Sequence, residues 1–150
     1  PTITGADEID ILFTANKGIA PAPIKSTASG GEFSRLMFAV KYVLAGKTAL
    51  PTMIFDEIDA GISGEVAIQM AKMMQRMAEN HQVITITHLP QIAAKGTSHY
   101  FVFKDESETT SASKRKKLNE EERLKELAQM IGGANFSETA LDSARELMQG

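Results

Sequence analysis

The chain of 150 residues contains no cysteine and no tryptophan. Without thiols it can form neither a disulfide nor a thiolate metal site, and it is compatible with a reducing compartment. It has no apolar run near the ~20 residues needed to span a bilayer, and no signal peptide is visible. A membrane role is therefore not expected. Charge of one sign is lacking too. Sixteen Lys and Arg stand against 19 Asp and Glu, for a net charge of −3. That gives no generally basic surface for nucleic acid. There are no internal repeats. Most telling, there is no G-x-x-x-x-G-K-[ST] phosphate cradle. GIAPAPIKS (18–26) has Lys25-Ser26, but Ile24 replaces the second glycine, and the spacing is wrong. Pro21 and Pro23 also remove amides that such a cradle needs. The chain starts with Pro1 rather than Met, which reads as a fragment or a processed product.

What is present suits a globular domain. Hydrophobic content is 43% and charged content 23%, and the length fits one domain spanning 1–150. Ile9, Ile11 and Phe13 alternate in EIDILFTAN (8–16), which predicts a strand. Residues 17–28 read as a loop broken by prolines. Leu36, Phe38, Ala39, Tyr42 and Val43 give residues 31–47 a helical period, closed by Gly46. TMIFDE (52–57) and HQVITITH (81–88) read as buried parallel strands. A helix over 65–80 lies between them, with Val66, Met70, Met73 and Met77 on one face. A short helix at 89–96 leads to a third strand at 98–105. DESETTSASKRKK (105–117) is polar and reads as a mobile loop. Helices are predicted over 118–131, ending at Gly132-Gly133, and after a Ser137 cap. Alternating strands and helices from residue 52 argue for an α/β fold with a mostly parallel sheet and flanking helices.

Three features could carry chemistry. TMIFDE ends in Asp56 and Glu57, which a parallel sheet delivers to its carboxyl edge, where ligands bind. One carboxylate there can anchor Mg²⁺, a hard ion that keeps several waters. The other can orient or deprotonate a water. Two solvated acids opening a turn would look the same. VITITH puts His88 at the next strand end, where an imidazole can donate to a phosphate oxygen. His81 and His99 read as surface residues. In TASGGEFSR (27–35), Ser29, Gly30, Gly31 and Glu32 open a helix. Free first-turn amides and the positive helix end attract anions, and glycines let a phosphate come close. An ordinary cap and turn is the alternative. KRKK (114–117) could touch DNA phosphates, but acidic residues flank it on both sides, which favours a solvated loop.

The order of these motifs resembles the second half of an ABC-type ATPase head. ASGGE (28–32) is similar to the signature motif, MIFDE (53–57) to Walker B with its catalytic Glu, IDAGISG (58–64) to the D-loop, and His88 to the switch histidine. SGGEFSRLMFAVK, PTMIFDEIDAGISG and ITHLPQIAA resemble the RecN family of bacterial DNA repair and recombination proteins, relatives of the SMC proteins. NKG (16–18) and the closing ELAQMIGG also fit. The resemblance covers essentially the whole chain.

That resemblance implies a fold and a set of roles. The chain would be the C-terminal half of an ABC-type P-loop NTPase head, with the Walker A half outside it. ATP and Mg²⁺ would lie between two heads of a homodimer, with DNA engaged by the full-length protein, in a bacterial cytoplasm at the nucleoid. Asp56 would anchor the Mg²⁺ shell, Glu57 would polarise the attacking water, and His88 would contact the γ-phosphate. Ser29, Gly30, Gly31 and Glu32 would contact the ATP of the partner head. Asp59 and Ser63 would belong to the D-loop, although many relatives carry Asp at the position of Ser63. The parent would be an ATPase for double-strand break repair, and this stretch alone would be inactive, a non-catalytic assembly module. A reading from the residues alone remains: a Mg²⁺-dependent phosphoesterase using Asp56, Glu57, Asp59 and His88.

Overall fold

The computed structural model describes residues 3, 5–7, 9–14, 17–24, 29–47, 50–105 and 112–150. Two compact units divide the chain after Lys47.

In the first unit, β1 (Leu12–Phe13) pairs antiparallel with β2 (Ala22–Pro23). The strand expected over 8–16 is therefore two residues long, and Glu8, Ala15 and Asn16 lie outside the described residues. Part of the expected loop, Ala22–Pro23, is a strand because Pro23 ends a ladder that asks nothing of its missing N–H. Helix α1 runs Gly30–Ala45. Of the apolar positions expected to face inward, Phe38 is buried and Leu36 and Tyr42 are half-buried, whereas Ala39 and Val43 are exposed. Phe33, Met37, Val40 and Leu44 recur at helical spacing and are exposed as well.

The second unit starts with the expected parallel pair. β3 (Thr52–Asp56) and β4 (Gln82–Ile86) run from Thr52↔Gln82 to Asp56↔Ile86. Helix α2 (Gly64–Ala78) connects them. Met53 and Phe55 alternate into the core. The buried stripe of α2 is Ala67, Met70, Ala71, Met74 and Met77. This corrects the expected stripe: Val66 is exposed, and Met74 is buried while Met73 is half-buried. Small Ala67 and Ala71 in the inner row set that face, so the helix is turned by one position. On the other side of the strand pair, Ile54, Ile84 and Ile86 are 60%, 43% and 56% exposed.

The third expected strand does not extend this sheet among the described residues. β5 (Tyr100–Asp105) pairs antiparallel with β6 (Ala112–Lys117), from Tyr100↔Lys117 to Asp105↔Ala112. The mostly parallel sheet is thus realised only in β3–β4, and the described strands form three two-stranded sheets. The expected mobile loop over 105–117 is corrected in its last six residues, which form β6, while 106–111 lie outside the described residues. A short connection can close a hairpin, whereas a parallel partner needs a long crossover. The charged Lys and Arg of β6 are tolerated because this ribbon is exposed to water.

Between the sheets lies α3 (Pro90–Ala93), and α4 (Glu120–Gly132) and α5 (Glu138–Gln149) follow. Asn119 and Glu122 cap α4 reciprocally, and Ser137 caps α5 as expected. Leu127, Ala128, Ala144 and Ala94 form a core in which Leu127 is fully buried. A Cβ on Gly132 would sit 3.0 Å from the Ala140 Cβ and 3.1 Å from the Phe136 Cβ, so any other residue would push its neighbours apart by a few tenths of an ångström. Buried Arg123 donates from Nη2 to the Ala94 carbonyl, and Lys95 Nζ donates to the Leu147 carbonyl at 2.7 Å. The end of α3 is thereby tied to both C-terminal helices. Among the described residues, no helix is long and apolar enough to cross a membrane.

Candidate active site

Asp56 closes β3, opposite Ile86 at the end of β4. Both it and Glu57 are exposed. The Glu57 N–H donates to the Ile86 carbonyl at 3.3 Å, so the ladder ends on that residue. Glu57 then has φ of 49°, the left-handed region, and it is the one non-glycine residue so placed among those described. For a residue with a Cβ this is strained, and such strain concentrates at functional sites. It reverses the chain sharply and leaves two successive carboxylates at the sheet edge.

The turn that follows is compact. Ala60 N–H donates to the Glu57 carbonyl and Ile62 N–H to the Asp59 carbonyl, both at 3.2 Å. Gly61 and Gly64 have φ of 75° and 55°, which L side chains rarely adopt. Ser63 stands at the N-cap of α2, exposed, with no side-chain hydrogen bond to the helix. Asp59 is buried, as is Ile58 before it, whereas Ala60 after it is exposed. Asp59 is 1% exposed, and its Oδ2 accepts from the Thr87 hydroxyl. Thr87 Oγ1 in turn accepts from the Leu89 N–H at 3.0 Å. Between Thr87 and Leu89, His88 is carried outward with its side chain 68% exposed, and its Nδ1 lies 3.9 Å from Asp59 Oδ2. The structure therefore joins Asp59 and His88, and it sets Asp56 and Glu57 on the neighbouring strand end. Thr87 was missed by sequence reasoning. The signal available was its place immediately before the strand-end histidine.

Mg²⁺ would have to be held sparingly here. Among the described residues no group of three or more His, Asp or Glu could hold a metal ion. A single exposed carboxylate at a strand end, Asp56, fits an ion whose other ligands are water and phosphate. It does not fit a cage made of protein.

Ser29, Gly30, Gly31 and Glu32 form the first turn of α1 in the other unit. Ser29 Oγ accepts from the Glu32 N–H at 3.3 Å, and Glu32 Oε2 accepts from both the Ser29 N–H and its hydroxyl at 2.8 Å. This is a complete capping box. The backbone N–H of Ser29, then its hydroxyl, hold the Glu32 carboxyl below the usual glutamate range, with Arg35 adding to the effect. The first-turn amides of Gly30 and Gly31 have no carbonyl one turn back inside the helix. A Cβ on Gly30 would meet nothing within 4 Å. No packing among the described residues explains the glycine at position 30.

The two remaining histidines correct the sequence reading in different degrees. His81 Nδ1 donates to the Leu50 carbonyl at 2.6 Å. His99 is half-buried, and burial, then the nearby Arg123 charge, push its pKa down. Both are structural. In KRKK, Lys116 is paired with Glu122.

No family model matches the chain. It is 44% identical over 150 residues, all of its length, to the DNA repair protein RecN of Deinococcus radiodurans. It is 42% identical over 146 residues, 97% of its length, to RecN of Streptomyces coelicolor. It spans about a quarter of the length of these relatives, 26% in each case. Among solved structures, it is similar to the Smc head domain with a coiled coil and joint from Pyrococcus yayanosii. That likeness has a TM-score of 0.60 at 23% identity, over 75% of this chain and 21% of the other. A second likeness is to a structure from work on ATP-driven dimerisation and DNA-stimulated activation of SMC ATPases. It has a TM-score of 0.56 at 24% identity, over 76% of this chain and 68% of that one. These likenesses give the chain the fold of an SMC ATPase head region. By its sequence it belongs with the RecN DNA repair proteins, as a segment about a quarter of their length.

Proposed function

We propose that this chain is the C-terminal half of the ATP-binding head of a RecN-like double-strand break repair protein. It supplies the signature helix, Walker B and switch histidine for ATP hydrolysis between two engaged heads. The observation that carries this reading is the rim of the parallel pair, with Asp56 and strained Glu57 ending one strand and His88 held just beyond the next. Mg²⁺, when bound with ATP, would offset phosphate charge, with Asp56 anchoring its water shell. Glu57 takes the proton of the attacking water at its carboxylate. His88 donates to the γ-phosphate. The amides of Gly30 and Gly31, with Ser29 and Glu32, receive the nucleotide of the other head, and the open space at Gly30 supports that close approach. Exposed Ser63, uncommitted to its helix, suits a D-loop contact across the same interface.

The rest of the head is supplied by another part of the protein. Two observations support this. The isoleucine face of β3–β4 is uncovered, although parallel strands are normally buried on both sides. Tyr100-Phe101-Val102-Phe103 is apolar on both faces of β5, the pattern of a doubly buried strand, yet all four are exposed. The parent acts on DNA in the bacterial cytoplasm at the nucleoid. These 150 residues alone are a non-catalytic assembly module, a reading favoured by the same bare faces. A metal-dependent phosphoesterase is less well supported, since it needs more metal ligands than the described rim gathers.

Calorimetry with MgATP tests the division of labour. The 150-residue chain alone should show no tight site, and adding the Walker A half should create one. A micromolar site on the isolated chain would overturn the proposal.

A further inference from the structure

We infer that one face of the β5–β6 ribbon is a contact surface for a single strand of DNA. The inference goes beyond the ATPase reading and does not depend on it. Residues opposite each other on antiparallel strands share a face, and neighbours along a strand alternate between faces. The register therefore sorts the ribbon into two rows. Tyr100, Val102 and Lys104 lie opposite Lys117, Arg115 and Ser113 and make one row. Phe101 and Phe103 lie opposite Lys116 and Lys114 and belong to the other.

The two rows are committed differently. Phe101 and Phe103 stack on each other, with ring centroids 5.9 Å apart. Lys116 pairs with Glu122, and Lys114 also has a partner. In the first row Lys104, Arg115 and Lys117 are exposed, and their side chains have no partner among the described residues. Tyr100 and Val102 stand out to water between them, more exposed than the two phenylalanines. The acids that follow the ribbon do not neutralise this row. Glu120 lies 4.0 Å from Arg123, Glu121 lies 2.6 Å from Lys125, and Glu122 holds Lys116. KRKK is thus divided by its pairing: Lys114 and Lys116 are engaged, and Arg115 and Lys117 are free.

The free row has a chemistry of its own. An apolar protein surface laid on it would strip water from three cations and give nothing back. A phosphodiester chain would pair with them and release its counterions. The ring of Tyr100, opposite Lys117, offers a platform on which a base can stack. Only a single strand has bases free to do so, whereas a duplex could use the cations alone. Charges that merely guard an exposed edge against pairing would need no aromatic ring among them. The row of Phe101 and Phe103, with its cations already engaged, is left for a protein neighbour.

Fluorescence anisotropy of a labelled thymidine oligonucleotide tests this, with the 150-residue chain, without ATP and over a series of salt concentrations. The wild type should bind, and log affinity should fall against log salt with a slope of about −2, from three phosphate contacts at about −0.7 each. Arg115→Gln with Lys117→Gln should weaken binding at least about 10-fold and flatten the slope to about −0.7. Lys114→Gln with Lys116→Gln removes the same charge from the same strand, on the other face, and should change affinity less than about 3-fold. Tyr100→Ala should lower single-strand affinity about 5-fold or more at an unchanged slope, and should leave the affinity for a duplex of equal length as it was. Four results would each overturn the inference: no binding by the wild type at low salt, equal losses from the two paired substitutions, a duplex bound as tightly as the single strand, or no response to Tyr100→Ala. Should the ribbon fail these tests while Glu57→Gln still stops turnover in full-length RecN carrying this sequence, only the DNA surface is lost. Should Glu57→Gln leave turnover unchanged while the ribbon passes, only the ATPase reading is lost.

Discussion

The C-terminal helices and the β3–β4 pair lie in the same unit and are finished to different degrees. Helices α4 and α5 close on each other, with Leu127 and Ala144 fully buried, both N-termini capped and Arg123 satisfying the Ala94 carbonyl. The strand pair has one packed face and one bare face. A two-stranded sheet is marginal alone, whereas an interlocked helix pair carries its own core. The candidate active site is built on the unfinished element. It also carries the left-handed backbone of Glu57 and the buried side chain of Asp59. The difference separates a helix pair that carries its own core from a strand pair whose second face has no cover among the described residues.

The largest effect should come from the finished region. Leu127→Ala should destabilise the chain by about 2–5 kcal/mol, as buried Leu truncations do, read by chemical denaturation. A loss below 1 kcal/mol would mean the helix pair is not the stabilising core. Ile54→Lys sharpens the contrast. It should change the stability of the isolated chain by no more than about 0.5 kcal/mol, as exposed substitutions do, yet abolish association with the Walker A half. If Ile54→Lys destabilised the isolated chain as much as Leu127→Ala, the sheet would already be complete. The smallest effect concerns the first turn of α1. Glu32 is held below the usual carboxylate range by Ser29. Its contribution is therefore present above the unfolded pKa of about 4.3 and is lost as pH falls through the lower folded value. Circular dichroism should show helix loss below pH 4 that Glu32→Gln makes less steep. An identical acid profile in the variant would remove the capping box from the account.

Much of this was legible in the sequence, for stated reasons. TMIFDE (52–57) and HQVITITH (81–88) are apolar runs that each end in a polar residue, so the parallel pair, and the place of Asp56 and Glu57 at its carboxyl edge, could be read. Ser137 and the glycines at 132 and 133 follow local rules of capping and helix termination. The fate of β5 was not legible, because a doubly apolar strand looks the same whether its partner is parallel or antiparallel. The β6 strand was hidden by its charges, since Lys114–Lys117 has the composition of a loop and only the pairing with β5 makes it a strand. The one-position rotation of α2 depended on small Ala67 and Ala71, which carry little weight in a hydrophobic period. At the site, the rim residues were readable one by one. The Asp59–Thr87 link was not, because it spans 28 positions and depends on a buried acid turning inward.

The measurement that tests the central claim most directly is single-turnover ATP hydrolysis by full-length RecN carrying this sequence, compared with its Glu57→Gln variant. Loss of only the water-activating carboxylate should leave MgATP binding intact and slow hydrolysis by about 10²–10⁴-fold, the range for a general base. Hydrolysis at the wild-type rate in Glu57→Gln would contradict the account.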